Sequence, residues 1–469
     1  MHSLEVIVNV LNKILWDYLL IILLCGIGIY YTVKLKCIQI LRFKTGILML
    51  FRGVSLSGEK AGKAGMSSFQ AIATAVAGQV GTGNLAGPAT AIMAGGPGAI
   101  FWMWVSSFLG MSTIYAEAIL AQKYKTTDRN GQAVGGPAYY IEKGLNCKWL
   151  AAIFAVLNIL ALGLVGNMVQ SNSIANAFHL SFGISNWVVG LAIAILVGLV
   201  VIGGLHYIAA LNEKLVPLKA SVYIIGAVLI LVINYDYIFP ALHLIFVAAF
   251  NPQAALGGAV GVSIQQAARF GIARGLFSNE AGMGSTPHAH AVAKVKNPED
   301  QALIAMTGVF TVCVIVTLTG LAIISTGLKM LNLNGLPISE FLNFMGKNGT
   351  GIAVTQYAYE LIFGYWGGVF ISISLMFFAF STIIGWYYYA ETNVRYLFGS
   401  MRALRIFQFL MVFALFASSV FRVDLIWNMA DTFNGLMVIP NVIALAILSP
   451  IVIQYTRQHV YQQHDAAQE

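Results

Sequence analysis

The chain has 469 residues, 58% of them hydrophobic and 9% charged, with a mean hydropathy of +0.79 and a formal net charge of +8. Soluble domains carry about 25% charged residues, and no hydrophilic stretch here is long enough to build a core of its own, so the composition leaves no room for a sizeable soluble domain and describes an all-α polytopic membrane protein. Cys25, Cys37, Cys147 and Cys313 have no paired spacing, which points to neither a disulfide framework nor a zinc site.

The first apolar run, Trp16 to Val33, has one basic residue before it, Lys13, and a dense basic block after it. A cleaved signal peptide has the reverse order. The run therefore reads as an uncleaved helix with its N-terminus outside. Lys34, Lys36, Arg42, Lys44, Arg52, Lys60 and Lys63 follow and mark the first loop as cytoplasmic.

Further spans are expected at 67–94, 98–122, 149–177, 187–204, 215–234, 256–292, 302–327, 366–392, 404–421 and 427–455, each near or above the roughly 20 residues that a bilayer requires. With about eleven helices, the outside keeps only Lys13, Lys329, Lys347 and Arg422, and Arg269 and Arg274 fall inside a span. All other Lys and Arg, including Arg129, Lys214 and Lys219, gather on the cytoplasmic side. This placement accounts for the basic balance without a nucleic-acid partner.

Two spans are anomalous. The second, Ser67 to Gly96, is interrupted at its middle by Gln79-Val80-Gly81-Thr82-Gly83-Asn84. Glycine costs roughly 1 kcal/mol against alanine in a helix interior, and an unpaired amide in hydrocarbon costs more. Such a break fits a helix that unwinds around a transported solute. The seventh span carries Gln265, Gln266, Arg269, Arg274 and Glu280 and a glycine-rich stretch from Gly275 to Gly284, which reads as a second unwound segment. Two broken helices five spans apart form the pattern of a five-plus-five inverted repeat, in which facing breaks build the solute site. The corresponding division is 1–63 for an extra helix and basic loop, 64–235 for the first repeat and 236–469 for the second repeat and tail.

The segments SFQAIATAVAGQVGTGNLAGPATAIMAGGPGAIFWMWVSSFLGM, ARGLFSNEAGMGSTPHAHA and FSTIIGWYYYAE closely resemble the alanine or glycine:cation symporters, sodium-coupled carriers of small amino acids. The resemblance covers nearly the whole chain. It implies a LeuT-like fold with one extra N-terminal helix, a bacterial or archaeal plasma membrane, and a function as carrier rather than enzyme. The expected cargo is a small neutral amino acid with sodium; no organic cofactor, nucleic acid or obligate protein partner is implied, and the surroundings are membrane lipid.

A zwitterion in low dielectric needs a partner at each end. The amides of Thr82 and Gly83, at the restart of the second span, are placed to receive the carboxylate, with Gly81 and Gly83 allowing close approach. Neutral oxygens take the ammonium: carbonyls around Phe277 and Ser278, and the side chain of Gln79, with Asn84 the other polar group of the break. The resemblance assigns sodium to the carbonyls of Ala77, Val80 and Ala379 and the hydroxyls of Ser381 and Thr382. It also makes Trp386 a lid that limits substrate size, opposed by Phe277. A glycine-rich packing face is the plainer account of the break, but it calls for neither Gln79 nor Asn84.

Glu117 and Glu280 are the most deeply placed acids. They admit a proton relay or a structural role paired with Arg269, Arg274 or helix-end amides. Proton coupling through either acid and a membrane enzyme built on Glu280, His288 and His290 are the alternatives; the second lacks a nucleophile or metal cluster.

Overall fold

The computed structural model describes residues 2–53, 66–128, 131–256 and 263–461. Lys60, Lys63, Arg129, and positions 257–262 of the expected seventh span lie outside the described residues. Hydrocarbon offers the backbone no hydrogen-bond partners, so the apolar runs satisfy their amides internally as helices. The sheet among the described residues is a two-residue hairpin pairing Thr126 with Val134 and Thr127 with Ala133.

Eight of the described helices are long and apolar enough to cross a membrane. In chain order, α1 is Val6–Lys34 and includes a π-helical turn at Leu15–Leu19. The second span is split into α2, Ser68–Gln79, and α3, Thr82–Gly95. Then come α4, Ala99–Lys123, and α5, Lys148–Phe182, with a π-helical stretch at Ile159–Gly166. The shorter apolar helices α6, Asn186–Ile202, and α8, Tyr235–Phe250, flank α7, Ile208–Ile233.

The seventh span contributes α9, Ile264–Asn279, and a one-turn helix at Pro287–Ala291. α10 is Pro298–Leu333 and α11 is Ile352–Phe363. Then come α12, Tyr365–Phe398, α13, Met401–Ser418, and α14, Leu425–Ile447, followed by a short helix at Ser449–Thr456 and a π-helical turn at Arg457–Tyr461. No span was expected at α8; it packs on the start of α4, where Trp102 donates its indole N–H to the Ala249 carbonyl at 3.3 Å.

Both broken helices begin with the same device. Ser67 caps the amide of Gln70 while Gln70 bonds back to the Ser67 amide, and Ser263 and Gln266 do the same at the head of α9. A reciprocal Ser-x-x-Gln pair satisfies two amides that the first helical turn leaves open.

The extra helix α1 runs alongside α14 in the same direction. Asn12 donates to the Asn428 carbonyl at 2.8 Å and Trp16 to the Asp431 carbonyl at 3.1 Å, while further along Tyr31 donates to the Leu445 carbonyl at 2.6 Å. α7 shows how lipid-facing and inward faces are sorted. Leu218, Val222, Ile225, Leu229 and Val232 are exposed, whereas Lys219, Tyr223, Ala227 and Ile230 are buried. That spacing is one stripe per face of a helix. The expectation that Lys219 is a cytoplasmic loop charge is thereby corrected: it lies within α7 and points inward.

Candidate functional site

α2 stops at Gln79 because Val80 and Gly81 leave helical geometry, and α3 starts again at Thr82. Gly81 has φ −131, which any residue adopts, so its need for glycine comes from crowding. A Cβ there would collide with the Thr382 hydroxyl and stand 3.0 Å from the Gln170 side-chain oxygen. At Gly83 a Cβ would lie 3.0 Å from the Phe277 ring and 3.2 Å from its carbonyl oxygen. The two glycines let α5, α9 and α12 close on the break.

The polar groups of the break are bonded across the bundle. The Thr82 amide and hydroxyl both donate to the Gln170 side-chain oxygen, at 3.0 and 2.7 Å. Asn84 accepts from the Gly81 amide at 2.8 Å and donates to the Ser278 hydroxyl at 2.9 Å. Gln79 donates to the Asn279 carbonyl at 2.7 Å and directs its oxygen toward Gly308 of α10. α3 thus begins where α9 ends.

The second break differs from its expected position. Gly275 remains helical, and the unwinding starts at Glu280, where Glu280, Gly282 and Gly284 all take positive φ, at 57°, 84° and 78°. Gly271 and Gly275 serve packing instead. A Cβ at Gly275 would stand 3.0 Å from the Ser106 hydroxyl, and one at Gly271 would collide with the Ala99 carbonyl oxygen. Small residues there let α9 and α4 approach closely.

Two carboxylates organise this break. Glu117 of α4 accepts from the amides of Gly282 at 3.1 Å and Gly284 at 3.0 Å and from the Asn441 side chain at 2.6 Å. Glu280 accepts from the Trp386 indole at 2.6 Å and from the Ser285 hydroxyl. The arginines offered as their partners pair elsewhere, Arg269 with Asp17 at 3.0 Å and Arg274 with Asp431. His288 lies between the Ser285 carbonyl, at 2.7 Å from Nδ1, and the Asn393 side chain, at 2.8 Å from Nε2. The His290 Nδ1 is 2.9 Å from the Gln301 amide nitrogen.

Aromatic rings cover the breaks on the side of the chain's N-terminus. Phe277 meets Trp386 edge to face at 5.7 Å and Trp427 at 4.9 Å, and the Arg274 guanidinium lies 4.9 Å from the Trp427 ring centre. Beyond them is a cavity of about 310 Å³ whose lining includes Asn12, Asp17, Arg269, Arg274 and Asp431. The Arg274 and Asp431 pair stands between that cavity and the rings.

On the other side of the first break, Val80, Ser381 and Thr382 converge. Thr382 donates to the Ala77 carbonyl at 2.7 Å, and Ser381 donates to the Phe378 carbonyl at 2.9 Å. The buried ammonium of Lys219 donates to the Val80 carbonyl at 2.8 Å and to the Ser381 hydroxyl.

A model of the sodium:alanine symporter family matches residues 1–469. The chain belongs to that family. The sodium/alanine symporter AgcS of Methanococcus maripaludis is 40% identical over 457 residues, covering 96% of each chain. A probable sodium/glutamine symporter, GlnT of Bacillus subtilis, is 40% identical, covering 97% of this chain and 91% of its own. Among solved structures, MhsT in complex with L-phenylalanine is similar with a TM-score of 0.55 at 16% identity, over 84% of this chain and 98% of that one. At that identity the likeness shows the fold, which is LeuT-like. The relatives are transporters, and this symporter family member is a multi-pass membrane transporter rather than an enzyme.

Most residues expected at the symporter's site are brought together. Gln79, Gly81, Thr82, Gly83, Asn84, Phe277, Ser278 and Trp386 line the junction of α2, α3, α9 and α12. Ala77, Val80, Ser381 and Thr382 also converge, with the Phe378 carbonyl accepting from both hydroxyls and Ala379 buried in the same turn of α12. The side-chain nitrogen of Lys219 stands among them. Gln170, Asn279, Trp427 and the Arg274 and Asp431 pair were not foreseen as site residues. An intramembrane Lys is a functional signal by default, and Lys219, flanked by Leu215, Val216, Leu218 and Val222, offered it.

Proposed function

We propose that the chain couples sodium entry to uptake of a small neutral amino acid, alanine and/or glycine, by alternating access. The observation that carries this reading is the meeting of two helix ends of opposite sign. The N-terminus of α3 and the C-terminus of α9 are joined by the Asn84 to Ser278 hydrogen bond of 2.9 Å. A helix start favours a carboxylate and a helix end an ammonium, so the pair matches both ends of a zwitterion.

In this reading the carboxylate docks on the amides of Thr82 and Gly83, with the Gln170 side chain yielding its place at Thr82. The ammonium meets the terminal carbonyls of α9 at Phe277 and Ser278. Phe277 and Trp386, already in contact, close over the side chain and admit only a hydrogen or a methyl in this reading. The chain lies in a bacterial or archaeal plasma membrane with the N-terminus outside and the C-terminus cytoplasmic, and 64–235 and 236–469 are its two inverted repeats, each with a Ser-x-x-Gln cap at the head of its broken helix.

The test is labelled alanine uptake into proteoliposomes under an imposed sodium gradient, with glycine and glutamine as competitors. Accumulation that needs sodium and is competed by glycine is expected. Undiminished accumulation with potassium in place of sodium overturns the coupling, and glutamine competing better than glycine overturns the size assignment.

A further inference from the structure

We propose that Lys219 is a resident cation, holding with its own ammonium the oxygen cage between α2 and α12 in which the resemblance places a sodium ion. The cage consists of the Val80 carbonyl, released by the break, and the Ser381 hydroxyl, with the Ala77 and Phe378 carbonyls and the Thr382 hydroxyl bonded around them. The Phe378 ring offers its face to the ammonium at 5.0 Å, a favourable approach for a cation.

Among the described residues no carboxylate is ion-paired to Lys219. Its charge is balanced by neutral oxygen dipoles and an aromatic face, the means by which a protein holds an alkali cation. The remaining stem of the side chain borders an apolar cavity of about 190 Å³ with Leu218, Val222, Phe370, Ile373 and Phe377. A buried ammonium without hydrogen bonds is costly, so the cage oxygens are what keeps Lys219 inward.

A sodium ion and this ammonium exclude one another, since both need the Val80 and Ser381 oxygens. The clamp between the first break and α12 is therefore tethered to α7 in this chain, and one cation site fewer is open to sodium. The inference rests on the sodium-coupled reading only for its probe ion.

The experiment is equilibrium binding of radioactive sodium to the purified full chain, for wild type, Lys219→Ala and Lys219→Ala combined with Thr382→Val. Lys219→Ala is expected to gain one sodium equivalent per protein, and the double variant to lose it. No gain in the single variant overturns the proposal, as does a gain that survives in the double variant, because that sodium binds elsewhere. If Lys219→Ala fails gel filtration, Lys219→Met retains the unbranched length and is read in the same way. Sodium binding by the wild type tests the coupling reading separately: no sodium in the wild type with one gained in the variant upholds the resident cation and overturns sodium coupling.

Discussion

The two breaks are held open by different chemistry. The first carries no acid. It unwinds through Val80 and an extended Gly81 and is held by the neutral side chains of Gln170, Asn84 and Ser278. The second turns through three residues of positive φ and is held by Glu117 from outside and Glu280 from within. A helix start presents donors and a helix end presents acceptors, so neutral oxygens suffice at the first. At the second, the amides of Gly282 and Gly284 have left the helix and need an acceptor from another element. The first break is thus held by neutral side chains, whereas the second is fastened by carboxylates.

Four substitutions bear on this comparison, in decreasing order of effect. Gly83→Leu drives a side chain into Phe277 and the end of α9. Alanine uptake is expected to fall by at least about 100-fold, consistent with the 1–3 kcal/mol cost of overpacking added to loss of the amide approach, while gel filtration stays normal. Retained uptake removes the first break from the site.

Glu117→Gln deprives the Gly282 or Gly284 amide of its oxygen acceptor. A buried donor left unpaired costs about 1–3 kcal/mol, which thermal unfolding in detergent reports as a lowered midpoint. An unchanged midpoint means that the second break is not fastened by this residue.

Trp386→Phe keeps an aromatic lid but loses the bond to Glu280. The ratio of alanine to valine uptake is expected to fall about 10-fold, in the range that pocket contacts of one or two carbons control. A lid that acts only as packing leaves the ratio unchanged.

Arg274→Lys replaces a planar fork by a point charge at Asp431, and such a replacement is not conservative where two oxygens are engaged. A change of only a few-fold in uptake is expected, with a faster exchange of internal for external alanine. Unaltered exchange would show that the pair has no part in opening a path between that cavity and the rings.

The first break was legible because glycines and amides inside an apolar run have few uses in hydrocarbon, and Gln79 and Asn84 point away from a mere packing face. The second was visible but misplaced. Gly275 resembles a helix breaker in the sequence, and only the nearness of Ser106 and Met103 reveals it as a contact. Sodium's expected ligands were found in a cluster, yet Lys219, 139 residues from Val80 in the chain, stood among them.

By itself, then, the sequence determined the membrane class, the run of apolar helices and the first break, because each follows from local composition judged against hydrocarbon. The tertiary structure decided where α9 ends, which carboxylate holds the unwound turn and which cation meets the Val80 carbonyl. Those depend on which helix faces approach one another, and a buried polar group takes its partner from whatever the fold brings within hydrogen-bond distance.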